Sequence, residues 1–289
     1  MIRLIWITIR PKQWIKNLFV YAPLVFAQKL FDQPSILLAT GAFGVFCMMS
    51  SAVYIINDLM DIKEDREHPV KRLRPIASGA LAVDVAWGAT LILATAAMVS
   101  AWAISPGLFW MCALYGGLNI AYSLRLKHVV LIDVFIIAAG FFLRVLAGAL
   151  AIQVEVSSWL VICTILLALF LSLCKRRHEL VILEGNAGHH RKTLSEYTPY
   201  FLDQLISVVT ASTVVAYSMY TVSADVVKKF GTQDLRLTIP FVLYGIFRYL
   251  YLVHRKDEGG FPTKILLTDM PLVINVILWG ITVLFILYY

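Results

Sequence analysis

Nine consecutive residues, Asn57-Asp58-Leu59-Met60-Asp61-Ile62-Lys63-Glu64-Asp65, close an apolar stretch long enough to cross a membrane. On a helix that runs on through them, Asp58, Asp61 and Asp65 stand at i, i+3 and i+7 and share one face. Three carboxylates crowded beside an apolar phase repel one another and lose solvation, so they call for a cation. Hard oxygen donors favour Mg²⁺, which takes a few carboxylates and completes its shell with substrate phosphates. Asp58, Asp61 and Asp65 are therefore the metal-binding and catalytic candidates. Asn57 is either a neutral ligand or a residue that holds an aspartate in place.

The chain continues Arg66-Glu67-His68-Pro69-Val70-Lys71-Arg72-Leu73-Arg74-Pro75-Ile76-Ala77-Ser78-Gly79. Arg66, Lys71, Arg72 and Arg74 beside an acidic face are what a Mg²⁺-diphosphate needs: carboxylates hold the ion, and basic groups take the oxygens it leaves free. A solvated loop whose basic residues meet anionic lipid is the alternative. It accounts for the arginines but not for three aspartates on one face.

The elements that must carry these residues are apolar helices. Of 289 residues, 60% are hydrophobic and 15% charged, and the mean hydropathy is +0.79. A soluble domain of this length cannot bury so much apolar surface, so we expect an all-α integral membrane protein. Nine spans are expected, at about 14–31, 35–57, 80–104, 107–124, 129–152, 157–174, 199–222, 237–254 and 270–289. With the N-terminus in the cytoplasm, 20 of the 25 Lys and Arg fall on the cytoplasmic side, as the positive-inside rule requires. That rule, and not nucleic acid, explains the net charge of +7. The opening Met1-Ile2-Arg3-Leu4-Ile5-Trp6 lacks a small-residue cleavage site, so no cleaved leader is expected. Cys47, Cys112, Cys163 and Cys174 read as small core residues, since no C-x-x-C spacing joins them. Two charged cytoplasmic loops, about 58–79 and 175–198, stand out within one membrane domain over residues 1–289.

The pattern Asn-Asp-x-x-Asp-x-x-x-Asp, followed by Asp-Arg…Pro…Arg-Pro-Ile…Gly, resembles the UbiA superfamily of intramembrane prenyltransferases over essentially the full length. That resemblance implies a UbiA-like helical bundle and a Mg²⁺-held diphosphate between two Asp-rich loops. The second loop departs from the family pattern. Lys175-Arg176-Arg177-His178-Glu179 through Arg191-Lys192 carries two glutamates, five fixed positive charges and no Asp. So basic a loop suits a substrate with an additional phosphate better than a second Mg²⁺ cage. Three segments are similar to the decaprenyl-phosphate phosphoribosyltransferase branch: Arg10-Pro11-Lys12-Gln13-Trp14-Ile15-Lys16-Asn17, Tyr122-Ser123-Leu124-Arg125-Leu126-Lys127, and the Lys-Arg-Arg-x-Glu-Leu of the second loop. That branch implies 5-phosphoribosyl 1-diphosphate as donor and a polyprenyl phosphate as acceptor, with Mg²⁺ as cofactor. The extra basic residues would then hold the 5-phosphate and the lipid phosphate.

Under this reading Lys16, Asn17, Asn57, Arg66, Lys71, Arg74, Tyr122, Arg125, Lys127, Arg144, Lys175, Arg176, Arg177 and Glu179 are substrate-binding candidates. Several have a second reading. Lys16 is either a phosphate ligand or a snorkelling lysine. Tyr122, Arg125 and Lys127 are either phosphate ligands or an interfacial belt. Arg144, inside the fifth span, is either functional or an inter-helix tie. Asp133 shares its face but lies too far along for direct pairing. His189-His190 reads as solvated or phosphate-adjacent, and Gly185 and Gly188 mark a segment that could close over the donor. Tyr249, Tyr251, Tyr288 and Tyr289 are expected as interface anchors. Transfer of a polyprenyl group from its diphosphate to an aromatic or other small acceptor and transport of a lipid phosphate are the competing functions; the charge lies on one face, not at mid-membrane, which disfavours transport. A homo-oligomer is compatible with all of these.

Overall fold

The computed structural model describes residues 1–182, 196–255 and 262–289. Glu184, Gly185, Gly188, His189, His190, Arg191 and Lys192 of the second loop lie outside the described residues. Among the described residues every regular element is helical. Among the described residues seven helices, against the nine spans expected, are long and apolar enough to cross a membrane: Gln33–Met60, Val83–Ile104, Ile132–Ala151, Ser158–Val181, Pro199–Val222, Asp234–Arg255 and Met270–Tyr288. The chain divides into two compact units, the first Met1–Ile136 with Gly140–Val156, the second Ile137–Ala139 with Ser157–Tyr289.

The first unit opens with α1 (Ile2–Thr8), a 3-10 segment (Pro11–Tyr21) and α2 (Ala22–Phe26). The expected first span is thus not one α-helix. Prolines stand at the start of each piece, and Arg10 and Gln28 both take positive φ, 53° and 56°. Proline removes a helical donor, and left-handed residues turn the chain out of the α path. Next come α3 (Gln33–Met60), α4 (Ile62–Glu67), α5 (Val83–Ile104), α6 (Pro106–Leu124) and α7 (Ile132–Ala151). Asp32 caps α3, accepting from the Ser35 amide at 3.1 Å, with Pro34 in the first turn. The Ser35 hydroxyl and amide hold the Asp32 carboxyl below the usual carboxylate range. Ser105 caps α6 in the same way through Leu108.

Small residues let these helices approach closely. Ala42 on α3, Ala97 and Ala101 on α5, and Ala147 and Ala151 on α7 join Phe46, Leu108, Tyr115, Leu143 and Val20 in one core. In an apolar solvent this packing rests on van der Waals contact between backbones, not on expulsion of water. Gly148 is the tightest point. A Cβ there would lie 2.0 Å from the Val20 carbonyl oxygen, so the 3-10 segment rests directly on α7.

The second unit contains α8 (Ser158–Ile182), α9 (Pro199–Val222), α10 (Ala224–Phe230), a 3-10 turn (Asp234–Thr238), α11 (Ile239–Arg255), α12 (Pro262–Thr268) and α13 (Met270–Tyr288). α8 outruns the expected span, so Lys175, Arg176, Arg177 and Glu179 stand on a helix and not on a loop. Lys175 and Arg176 both pair with Glu179 at helical spacing, which carries the helix past the apolar boundary. Tyr217 links three elements, bonding Thr238 at 2.7 Å and accepting from Trp279 Nε1 at 2.9 Å. Tyr249 corrects one expectation. It is buried, with its ring 5.5 Å from that of Phe170, and serves as core and not as an interface anchor. Tyr251 and Tyr289 are exposed as expected. The four cysteines carry free thiols, three of them buried.

Candidate functional site

The helix bearing the aspartates bends at Asp61. Its φ and ψ of −98° and 18° close α3 and open α4, while the Asp61 amide still donates to Asn57 O at 3.0 Å and the Asp65 amide to Asp61 O at 2.8 Å. The three carboxylates therefore do not form one evenly spaced face, as a straight helix would give. Asp58 and Asp65 converge, whereas Asp61 points to Lys127 across the fold, 2.6 Å from Nζ. Asp58 and Asp65 are 2% and 1% exposed, so each needs a charged partner.

Arg74 supplies that charge to both. Its Nη1 lies 3.0 Å from Asp58 Oδ1 and 2.6 Å from Asp65 Oδ2, and Arg10 Nη2 meets the same Asp58 oxygen at 2.5 Å. The segment after Arg74 is pinned so that this placement is reproducible. Ser78 N donates to Arg74 O at 2.9 Å, Leu81 N to Pro75 O at 2.8 Å, and Arg66 Nε to Ala77 O at 3.0 Å. Ile76 and Leu81 are buried against Ile9, Ile55, Leu59 and Ala86 beneath the site. Gly79, at φ 79°, makes the turn that a residue with a side chain would adopt only under strain.

The arrangement brings Asp58, Asp65, Arg74 and Arg10 into one cluster, with Asp61–Lys127 as a second pair. Asn57 accepts from the Ser123 hydroxyl, which orients its amide and joins α3 to α6. Arg66 is engaged with backbone, and Lys71 and Arg125 are exposed. Tyr122 lies half-buried near the end of α6, one residue before Ser123. Arg10 is the residue that sequence reasoning missed. Its motif was visible, but its role depends on a left-handed φ ahead of Pro11, which sends the side chain back towards Asp58 and over the Tyr54 ring at 5.2 Å.

Asn17 and Arg144 hydrogen-bond each other across elements of the first unit. Arg144 is 4% exposed and Asn17 fully buried. Arg144 donates to Asn17 Oδ1 at 2.8 Å, Gly140 O at 2.7 Å and Tyr115 OH at 2.9 Å, and it stacks over Tyr115 at 4.6 Å. Asn17 Nδ2 in turn donates to Ser50 Oγ at 3.3 Å. Both side chains are consumed inside the first unit and join the 3-10 segment, α3, α6 and α7. We expect Arg144→Met to destabilise the protein by about 2–4 kcal/mol, because Asn17 and Tyr115 lose their buried partner. Thermal melting in detergent checks this, and an unchanged melting temperature would refute the tie. Lys16 is half-buried on the same segment.

In the second unit Arg177 binds Asp203, with Nε 2.5 Å from Oδ1, and His254 Nε2 lies 3.2 Å from the same oxygen. Asp203 and His254 were not singled out in the sequence, since they lie in separate helices with no common motif. Arg248 pairs with Asp269, the cap of α13, at 2.8 Å.

The chemistry of the first cluster fits a hard divalent cation. Its donors are carboxylate oxygens, and two of them already converge on a single cationic nitrogen. Among the described residues no three His, Cys, Asp or Glu side chains stand close enough to hold an ion alone. An ion here would draw the rest of its shell from a bound phosphate, as Mg²⁺ commonly does.

Apolar helices with a carboxylate–guanidinium cluster at the end of one of them define a multi-pass membrane protein. The chain belongs to the UbiA prenyltransferase family, whose family model matches residues 17–261. It is 32% identical over 285 residues to a decaprenyl-phosphate phosphoribosyltransferase of Corynebacterium glutamicum, covering 97% of this chain and 85% of that protein. To the decaprenyl-phosphate phosphoribosyltransferase of Mycolicibacterium smegmatis it is 34% identical, over 94% of this chain and 88% of that one. A UbiA homolog from Archaeoglobus fulgidus bound to DMAPP and Mg²⁺ has the same fold, with a TM-score of 0.74 at 19% identity over 97% of each chain.

Proposed function

We propose that this protein transfers 5-phosphoribose from 5-phosphoribosyl 1-diphosphate to a polyprenyl phosphate of decaprenyl type, releasing diphosphate in a Mg²⁺-dependent reaction. The product would be a lipid-linked pentose for cell-envelope glycans, made at the cytoplasmic face of the cell membrane. The observation that carries the reading is the convergence of Asp58 and Asp65 on Arg74, with Arg10 beside them. Relatives named for this activity, matched over nearly the whole chain, support it. The whole chain is read as one transferase domain, since the family model takes in residues of both compact units.

Asp58 and Asp65 would hold the Mg²⁺, which supplies charge neutralisation for the departing diphosphate. Arg10 and Arg74 stand beside these carboxylates, and Lys127 beside Asp61; all three can take diphosphate oxygens, stabilising the negative charge that grows as the anomeric bond breaks. The lipid phosphate is already ionised at neutral pH, so no side chain has to act as general base. Attack on the face opposite the leaving group inverts the anomeric centre. Lys175, Arg176 and Arg177 stand in sequence where typical family members carry a second Asp motif, and this change of charge favours a donor with an additional phosphate over a polyprenyl diphosphate.

A donor swap on detergent-purified protein with Mg²⁺ tests the proposal. One tube holds labelled 5-phosphoribosyl diphosphate and polyprenyl phosphate; the other holds polyprenyl diphosphate and 4-hydroxybenzoate. Label entering the lipid phase in the first tube alone, and lost with EDTA, is the expected result. A prenylated aromatic in the second would return the protein to prenyl transfer.

A further inference from the structure

We propose that Arg74 is a placeholder cation, which leaves Asp58 and Asp65 for the donor's diphosphate when a metal ion arrives and so couples the binding of the two. The inference rests on the metal and donor assigned above. One nitrogen, Nη1, serves both carboxylates, at 3.0 and 2.6 Å. Two carboxylates so deeply buried cannot face each other bare, because desolvation and like-charge repulsion act together. A guanidinium between them satisfies the charge in the absence of an ion. It also stands at the point where the two carboxylates that would hold an ion converge.

Arg74 is built to leave that position. Its side chain is 27% exposed, and its backbone is fixed on both sides, the amide donating to Lys71 O at 2.9 Å and the carbonyl accepting from Ser78 N at 2.9 Å. The guanidinium can therefore swing outward without moving the loop. Arg10, just as exposed at 28%, differs in meeting Asp58 alone and in lying over the Tyr54 ring at 5.2 Å, which holds its guanidinium at Asp58. Arg10 is the resident counter-ion, and Arg74 the exchangeable one.

The exchange has an energetic consequence. An ion entering alone must break two charge-assisted hydrogen bonds and leave Arg74 without an anion. An ion entering with a diphosphate hands Arg74 new oxygens of the same kind. Ion and diphosphate therefore favour each other's binding through Arg74, and the coupling is reciprocal.

The test is equilibrium dialysis of the detergent-solubilised full chain with radiolabelled Mn²⁺, with and without inorganic diphosphate. Arg74→Gln is expected to bind Mn²⁺ alone about tenfold more tightly than wild type, and to lose about the same factor from the tightening that diphosphate produces. Its metal-free melting temperature falls, and Mn²⁺ raises it by more than in wild type. Arg74→Met, closer to arginine in length, gives the same comparison if the glutamine variant does not fold. The Asp58→Asn, Asp65→Asn double variant is the reference for loss of the site. Mn²⁺ binding lost in the double variant but not tightened by either Arg74 substitution overturns the placeholder and leaves the metal site standing. Mn²⁺ binding that the double variant retains in full overturns the metal site and the placeholder together.

Discussion

Asp58→Asn is expected to lower turnover by more than about a thousandfold, about 4 kcal/mol of transition-state stabilisation, while the chain stays folded. Asparagine keeps the shape of the side chain and one carbonyl oxygen, so Arg10 or Arg74 can still find an acceptor. Arg74 also keeps its 2.6 Å contact with Asp65. The stability cost should thus stay within about 1–3 kcal/mol, the usual penalty for a weakened buried polar contact. The lost charge matters far more for catalysis. Asp58 is the meeting point of two guanidinium groups, and any ion seated there loses one of its two converging anions. Initial rates of phosphoribosyl transfer, with circular dichroism and melting on the same preparation, decide the matter. Turnover within tenfold of wild type would remove Asp58 from the chemistry.

Gly148→Ala is expected to destabilise the first unit by more than about 3 kcal/mol, at the upper end of what overpacking costs. The new Cβ would lie 2.0 Å from Val20 O and 2.9 Å from Val20 C. These are backbone atoms, so no side chain can rotate away, and the 3-10 segment must lift off α7. That segment carries Asn17, which ties it to Arg144, and it follows Arg10, which reaches Asp58. A methyl group remote from the aspartates should therefore lower activity as well as stability. Gly117→Ala is the control, since nothing lies within 4 Å of a Cβ there, and its effect should stay within about 0.5 kcal/mol. Equal melting temperatures for the two variants would contradict the close approach of Val20.

Much of the architecture was legible because the membrane restricts the choices. A long apolar run must satisfy its own backbone hydrogen bonds, which leaves a helix as the local solution. Among the described residues seven such helices, with boundaries close to those read from hydropathy, follow from that constraint. It fails where the sequence itself interrupts the run. Pro11, Pro23, Lys16 and Asn17 turned the expected first span into a 3-10 segment and a short helix. At α8 the error ran the other way. Helical pairing of Lys175 and Arg176 with Glu179 extends the helix beyond the apolar stretch that hydropathy measures.

The sequence by itself determined which residues are the candidates for the chemistry: the aspartates after Asn57, the arginines of the following segment, and the basic motif that replaces a second acidic one. Their spacing along the chain is a local property, and local spacing is sufficient to group them. Only the tertiary structure decided who partners whom. Arg10 and Asp58 are separated by 48 positions, Lys127 and Asp61 by 66, and Arg144 and Asn17 by 127. The bend at Asp61, the left-handed Arg10 and the close contact at Gly148 set those pairings. Buried charges and amides must find partners wherever the packed helices place them, and no periodicity along the chain records that choice.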